Sequence, residues 1–143
     1  ISKYGIKPEN IIMEITESIL IDDFEFVRER MEEFVKAGIV FYLDDFGTGF
    51  SNFANVIRLP FYTIKIDRSF VLMMEKNEEM LKLVKNLIST FKDSNLKILM
   101  EGVETEKQDE LVKKAGVDYI QGFLYSKPLP MESYLSLLRG QQK

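Results

Sequence analysis

The chain has 143 residues, 45% of them hydrophobic and 29% charged, with 19 basic against 23 acidic residues and a net charge of -4. This is the profile of one ordinary globular domain, and the charge gives no basic stripe for duplex nucleic acid. There is no cysteine and no histidine, so disulfides, thiolate metal sites, zinc sets that use histidine and His-based triads are excluded.

Catalysis, where present, must then use carboxylates, lysine, hydroxyls or a metal. No apolar run reaches the length of a membrane span, so this segment is expected to make no direct membrane contact. The absence of cysteine fits a reducing, cytoplasmic compartment. The first residue is Ile1 and not methionine, so the chain is expected to be a piece of a longer protein, which other domains can anchor to a membrane.

In chain order, Ile11 to Thr16 reads as a short β-branched strand. Asp22 or Asp23 can cap a helix on which Phe24, Val27, Met31, Phe34 and Val35 recur at helical spacing, and Gly38 stops it. Val40 to Asp44 is the second strand. It runs into Asp45-Phe46-Gly47-Thr48-Gly49, and Ser51 caps a short helix through Ile57. Tyr62 to Asp67 is the third strand. A segment over Arg68 to Met74 leads to a long helix from about Asn77 to Phe91, with Met80, Val84, Leu87, Ile88 and Phe91 on one face.

Lys97 to Met100 is the fourth strand, ending at Glu101-Gly102. Thr105 and Gln108 have capping-box spacing, and Gly116 ends the helix they start. Asp118 to Gln121 is a fifth strand, closed by Gly122, and a last helix spans roughly Met131 to Leu138. Strands alternating with helices in this rhythm predict βα units and a parallel sheet.

The stretch around Asp44 and Asp45 admits two readings. It is a turn whose aspartate caps the next helix, or a strand tip at which two carboxylates share a cation. Neighbouring side chains on a strand face opposite ways, so the second reading requires the strand to end and twist there. The other units favour it. Glu14 and Glu17 lie at the end of strand one, Lys65 and Asp67 at strand three, Glu101 at strand four and Gln121 at strand five. In parallel α/β folds the C-terminal strand ends share one face, where sites are built. Four carboxylates (Glu14, Asp44, Asp45, Glu101) with one lysine have the composition of a two-metal phosphoryl-transfer site, whose ions lie ~3.5–4 Å apart. An all-oxygen set favours Mg²⁺ or Mn²⁺.

The motifs E-I-T-E-S (Glu14 to Ser18), D-D-F-G-T-G-F-S (Asp44 to Ser51), K-I-D-R-S-F-V (Lys65 to Val71), E-G-V-E-T (Glu101 to Thr105) and Q-G-F-L-Y-S-K-P-L-P (Gln121 to Pro130) resemble, in order and spacing, the EAL-domain family. Its members are bacterial phosphodiesterases that open cyclic di-GMP to linear pGpG on a modified (β/α)8 barrel with two Mg²⁺ or Mn²⁺ ions. The resemblance implies that Glu14 ligands the first metal, Asp44 bridges the two, and Asp45 and Glu101 serve the second. It places Lys65 beside the attacking water and scissile phosphate, and Gln121 near that water or the second metal. Glu17 resembles the glutamate that braces the Phe46-Gly47-Thr48-Gly49 loop, itself tied to substrate binding and dimerisation. Asp67 would orient Lys65, and Glu104 would be structural.

Three residues depart from the family pattern. Met100 stands where alanine is usual and would crowd the barrel mouth, and Phe50 and Phe123 replace a frequent tyrosine. The naming Glu-Ala-Leu motif and a metal-binding asparagine have no counterpart, since they lie upstream of Glu14. A barrel of this type needs about 250 residues, so roughly 100 are unaccounted for. The expected architecture is therefore α/β, the C-terminal portion, about five βα units, of a TIM-like barrel with outer helices, and residues 1–143 form a partial EAL domain. Open strand edges imply association with a second copy or marginal order. The chain by itself is expected to hydrolyse cyclic di-GMP very poorly. The alternative is a non-catalytic receptor of degenerate EAL type that binds cyclic di-GMP or a protein. A sensory or diguanylate cyclase-like domain can accompany such a domain in the parent chain, and this sequence does not decide it.

Overall fold

The computed structural model describes residues 1–17, 24–49 and 53–141. Five strands form one wholly parallel sheet in sequential order: β1 (Ile12–Thr16), β2 (Val40–Phe46), β3 (Thr63–Ile66), β4 (Lys97–Met100) and β5 (Tyr119–Ile120). The helices between them are α1 (Phe24–Lys36), α2 (Phe53–Arg58), α3 (Arg68–Met74), α4 (Glu78–Asp93) and α5 (Glu106–Ala115), and α6 (Met131–Gln141) follows. Among the described residues β1 and β5 each pair on one side only.

Strand alternation separates two faces. Leu43, Ile64 and Ile98 lie side by side in register and are fully buried on the helix side, against Met31, Val84, Ile88, Phe91 and Val112. The opposite face carries Glu14, Tyr42, Thr63 and Lys97 in one row, with Asp44 and Lys65 one row further along. Met100 pairs with Ile66, and both are fully buried in the helix-side core. The expected crowding of the mouth by Met100 is therefore corrected: its side chain packs away from the face that carries Lys65.

Phe91 anchors this core beneath the loop after β2. Its ring meets Phe46 edge-on at 5.0 Å and Phe53 at 4.9 Å. Phe91→Ala should destabilise the chain by about 3–5 kcal/mol, read by urea denaturation, because the cavity opens under two further rings.

The elements differ from expectation mainly at their ends. The β3 ladder stops at Ile66, and Asp67 becomes the N-cap of α3, its Oδ1 accepting from Ser69 N at 2.9 Å. A second cap, Asn77 on Met80 N, separates α3 from α4. β5 is only two residues long. Asp118 before it accepts from Ile98 N at 2.9 Å and from Lys97 at 3.1 Å, closing the β4–β5 gap with a side chain. The capping box of Thr105 and Gln108 forms, and Gly116 ends α5 in the left-handed region at φ 87°. The expected caps at Asp22, Asp23 and Ser51, and the Phe50 departure, lie outside the described residues.

Candidate active site

The C-terminal strand ends are stapled in step by backbone bonds that continue the ladder past the strands. Asp67 N donates to Phe46 O at 3.2 Å, Glu101 N to Ile66 O at 3.0 Å and Gln121 N to Met100 O at 2.9 Å. Residues that follow different strands are thereby held at one level.

The pairing of β2 with β3 slips between Leu43 and Phe46, where Leu43 faces Ile64 and Phe46 faces Ile66. Three steps on one strand oppose two on the other, so β2 carries a bulge. Asp45 absorbs it with φ 55°, a left-handed conformation that aspartate tolerates better than most residues. The bulge resolves the alternation problem at the two adjacent acids. Asp44, Asp45 and Glu101 each present one carboxylate oxygen, and these lie within 4.8 Å of one another. Phe46 returns to the core, its ring tilted against Phe70 and edge-on to Phe91.

Lys65 is 6% exposed, and its ammonium sits 2.8 Å from Asp44 Oδ1 and 3.1 Å from both Glu14 Oε1 and Glu101 Oε1. Burial alone would lower the lysine pKa, but the contacts with Asp44, Glu101 and Glu14 outweigh it and hold the pKa above the ordinary value. Burial is also the largest influence on Glu101 and raises its pKa. Lys65 opposes that rise, and the charges of Asp44 and Asp45 add to it. The Lys65–Asp44 contact is an ion pair without hydrogen-bond alignment. Asp44 Oδ1 is thus a buried oxygen with no hydrogen-bond partner among the described residues.

Several expected residues occupy the loop beyond Asp45. Thr48 turns back on Asp45, its N–H and Oγ1 both donating to Asp45 O at 3.2 and 3.0 Å. Gly47 has φ 101°, and a Cβ there would lie 2.2 Å from the Phe70 ring, so only glycine fits. Glu17 is buried, and its Oε2 accepts from Gly49 N at 2.9 Å, which brings it against the loop.

Not every expected residue joins the cluster. Glu14 is half exposed and reaches it through Lys65, outside the three-carboxylate group. Asp67 does not orient Lys65. Its carboxylate is spent on the α3 cap. Partial burial pushes its pKa up, but hydrogen bonds from Ser69 and Arg68 and the charge of Arg68 together hold it below the usual range. Gln121 lines a cavity of about 420 Å³ together with Glu101, Asp67, Arg68, Glu104 and Phe123. Arg68 Nη2 donates to Glu104 Oε2 at 2.8 Å, so Glu104 does have a structural partner. That Arg68–Glu104 pair and the Asp45 bulge went unread in the sequence. The bulge does leave a signal there. Phe41, Leu43 and Phe46 are all buried on one side, and the three-residue step from 43 to 46 breaks the period of two.

The donor set fits a hard divalent cation: three convergent carboxylates, all-oxygen chemistry, and a buried aspartate oxygen that lacks a hydrogen bond. Comparison with known proteins agrees in kind. A family model described as "EAL domain" matches residues 1–128. The chain is 34% identical over 134 residues to the bifunctional diguanylate cyclase/cyclic di-GMP phosphodiesterase MucR of Pseudomonas aeruginosa, covering 94% of this chain and 20% of that protein. It superimposes on the EAL domain of Mycobacterium smegmatis DcpA with a TM-score of 0.88 at 34% identity, over 97% of this chain and 62% of that one. The Klebsiella pneumoniae BlrP1 manganese/cyclic di-GMP complex gives a TM-score of 0.80 at 28% identity, over 89% of this chain and 32% of that one. The chain thus spans about one fifth of the curated relative's length.

Proposed function

The chain belongs to the EAL-domain family, and from that premise we propose that it carries part of a phosphodiesterase site that opens cyclic di-GMP to linear pGpG. The observation behind this reading is the convergence of Asp44, Asp45 and Glu101 at the strand tips around Lys65. Two divalent cations, Mg²⁺ or Mn²⁺, would polarise the phosphodiester and supply a nucleophilic water at neutral pH.

Within this reading Glu14, Asp44, Asp45 and Glu101 would hold the two ions. Lys65 holds positive charge beside the attacked phosphate, where negative charge develops. Gln121 contacts the water side of the cavity, and Glu17 keeps the Phe46 to Gly49 loop in place. One phosphodiester P–O bond breaks, the water oxygen joins phosphorus, and a ribose hydroxyl leaves with a proton. MucR, which bears a diguanylate cyclase name as well, supports a parent chain with further signalling modules. Among the described residues no helix is long and apolar enough to cross a membrane. The intracellular nucleotide proposed as substrate would place the reaction in the cytoplasm. Residues 1–143 are read as a partial domain, so turnover by this chain alone should be slight, and pairing with a second copy is part of the proposal.

The test is incubation of the chain with cyclic di-GMP and Mn²⁺, with bound and cleaved nucleotide separated by ion-exchange chromatography. We expect Mn²⁺-dependent retention of cyclic di-GMP with at most traces of pGpG, and loss of both in Asp44→Ala. Retention with no dependence on Mn²⁺ or Asp44 would favour the receptor reading and overturn this site assignment.

A further inference from the structure

The position of Glu101 depends on where the segment after β4 comes to rest, and one buried amide fixes that segment. Gln108, in the first turn of α5, is 5% exposed. Its Oε1 accepts from the backbone N–H of Glu104 at 2.8 Å and of Thr105 at 3.2 Å. Its Nε2 donates to Glu75 Oε2 at 3.0 Å, and Glu75 is the C-cap of α3. A capping box needs only the bond back to the cap residue. The bond to Glu75 is additional, and it ties the segment to the helix that directly follows β3, the strand carrying Lys65.

The other end of that helix grips the same segment. Arg68, its first residue, donates to Glu104 at 2.8 Å. The Arg68 stem also lies over Gly102, at φ 73°, where a Cβ would sit 2.5 Å from it. Helix α3 is therefore clamped at both ends to residues that lie one to seven positions after Glu101. Leaving either end of a buried amide unpaired is costly, so Gln108 holds its place firmly.

We infer, on the reading that Asp44, Asp45 and Glu101 hold the metal, that Gln108 is a positioning residue for Glu101. It sets the 3.1 Å separation of Glu101 from Lys65 by joining the segment after β4 to the helix after β3, and it touches neither metal nor substrate.

The experiment titrates the 143-residue chain with Mn²⁺, following free Mn²⁺ by electron paramagnetic resonance, with a thermal melt of every variant. Gln108→Ala should weaken Mn²⁺ binding by about 10-fold or more, the range seen when groups behind metal ligands are removed. Val112→Ala, fully buried on the same helix, should lower Tm and leave Mn²⁺ binding at the parent value. Gln108→Glu sets a carboxylate against Glu75 and should also weaken binding. The double variant Gln108→Glu/Glu75→Gln reverses donor and acceptor and should restore it, which keeps the test decisive even where Gln108→Ala fails to fold. Parent-like Mn²⁺ affinity in Gln108→Glu or Gln108→Ala, or an equal loss in Val112→Ala, overturns the inference. If instead Asp44→Ala titrates like the parent, the metal reading itself fails and takes this inference with it.

Discussion

Lys65→Met should give a chain that is less stable without metal, binds Mn²⁺ more tightly than the parent, and loses whatever turnover the parent shows by about 10²–10³-fold. All three effects have one cause. The ammonium is nearly buried and is the shared partner of Asp44, Glu101 and Glu14. Methionine keeps the packing volume and leaves those carboxylates to repel one another. The stability loss should fall below the ~3–5 kcal/mol of a fully buried broken pair, because Glu14 is half exposed. Added Mn²⁺ should restore more stability to the variant than to the parent, since a bound cation replaces the missing charge. The pH dependence follows from the raised lysine pKa. A group held more protonated in the folded state contributes stability that is complete below its unfolded value of about 10.4 and is lost as pH rises through the folded value. Parent and variant melts should therefore converge only in strong alkali. Equal stability at neutral pH would show that Lys65 does not hold the cluster together.

The sequence made the βα rhythm legible because each strand carries its own local signal: β-branched or aromatic residues closed by a polar residue, with a glycine just beyond in β2, β4 and β5. The helix caps at Thr105 and Gly116 were readable for the same reason, since a cap is settled within four residues. Convergence of Asp44, Asp45 and Glu101 was readable only as an architectural consequence, because parallel strands bring their C-terminal ends together. Contacts that decide details across the chain were not. Asp67 lies two residues past Lys65 and would share its face on a continuing strand, but the strand ends at Ile66 and the backbone turns into α3. The Arg68–Glu104 pair spans 36 positions, and no local pattern announces it. The side on which Met100 packs also depends on register with Ile66, which hydrophobicity alone leaves open.

The bulge at Asp45 separates two requirements that a single alanine substitution would confuse. The position needs a backbone that accepts φ 55°, and the site needs a carboxylate directed at Asp44 and Glu101. Asp45→Gly meets the first requirement and fails the second. It should fold with a Tm close to the parent, keep the Phe46 and Gly47 contacts, and lose most Mn²⁺ affinity. Asp45→Asn keeps the conformation and one oxygen, and its Mn²⁺ binding should fall between glycine and the parent. Asp45→Val fails both. A β-branched side chain is a genuine outlier at positive φ, and strain of about 1–3 kcal/mol would be relieved by straightening the strand. Straightening would turn Phe46 out of the core and pull the 46–49 loop from Glu17. The valine variant should therefore lose stability and metal affinity together, and the amides of Thr48 and Gly49 should exchange faster with deuterium. Parent-like Mn²⁺ affinity in Asp45→Gly would remove Asp45 from the ligand set and reduce it to a strand terminator. A valine variant as stable as the glycine one would show that the left-handed backbone is incidental to the site.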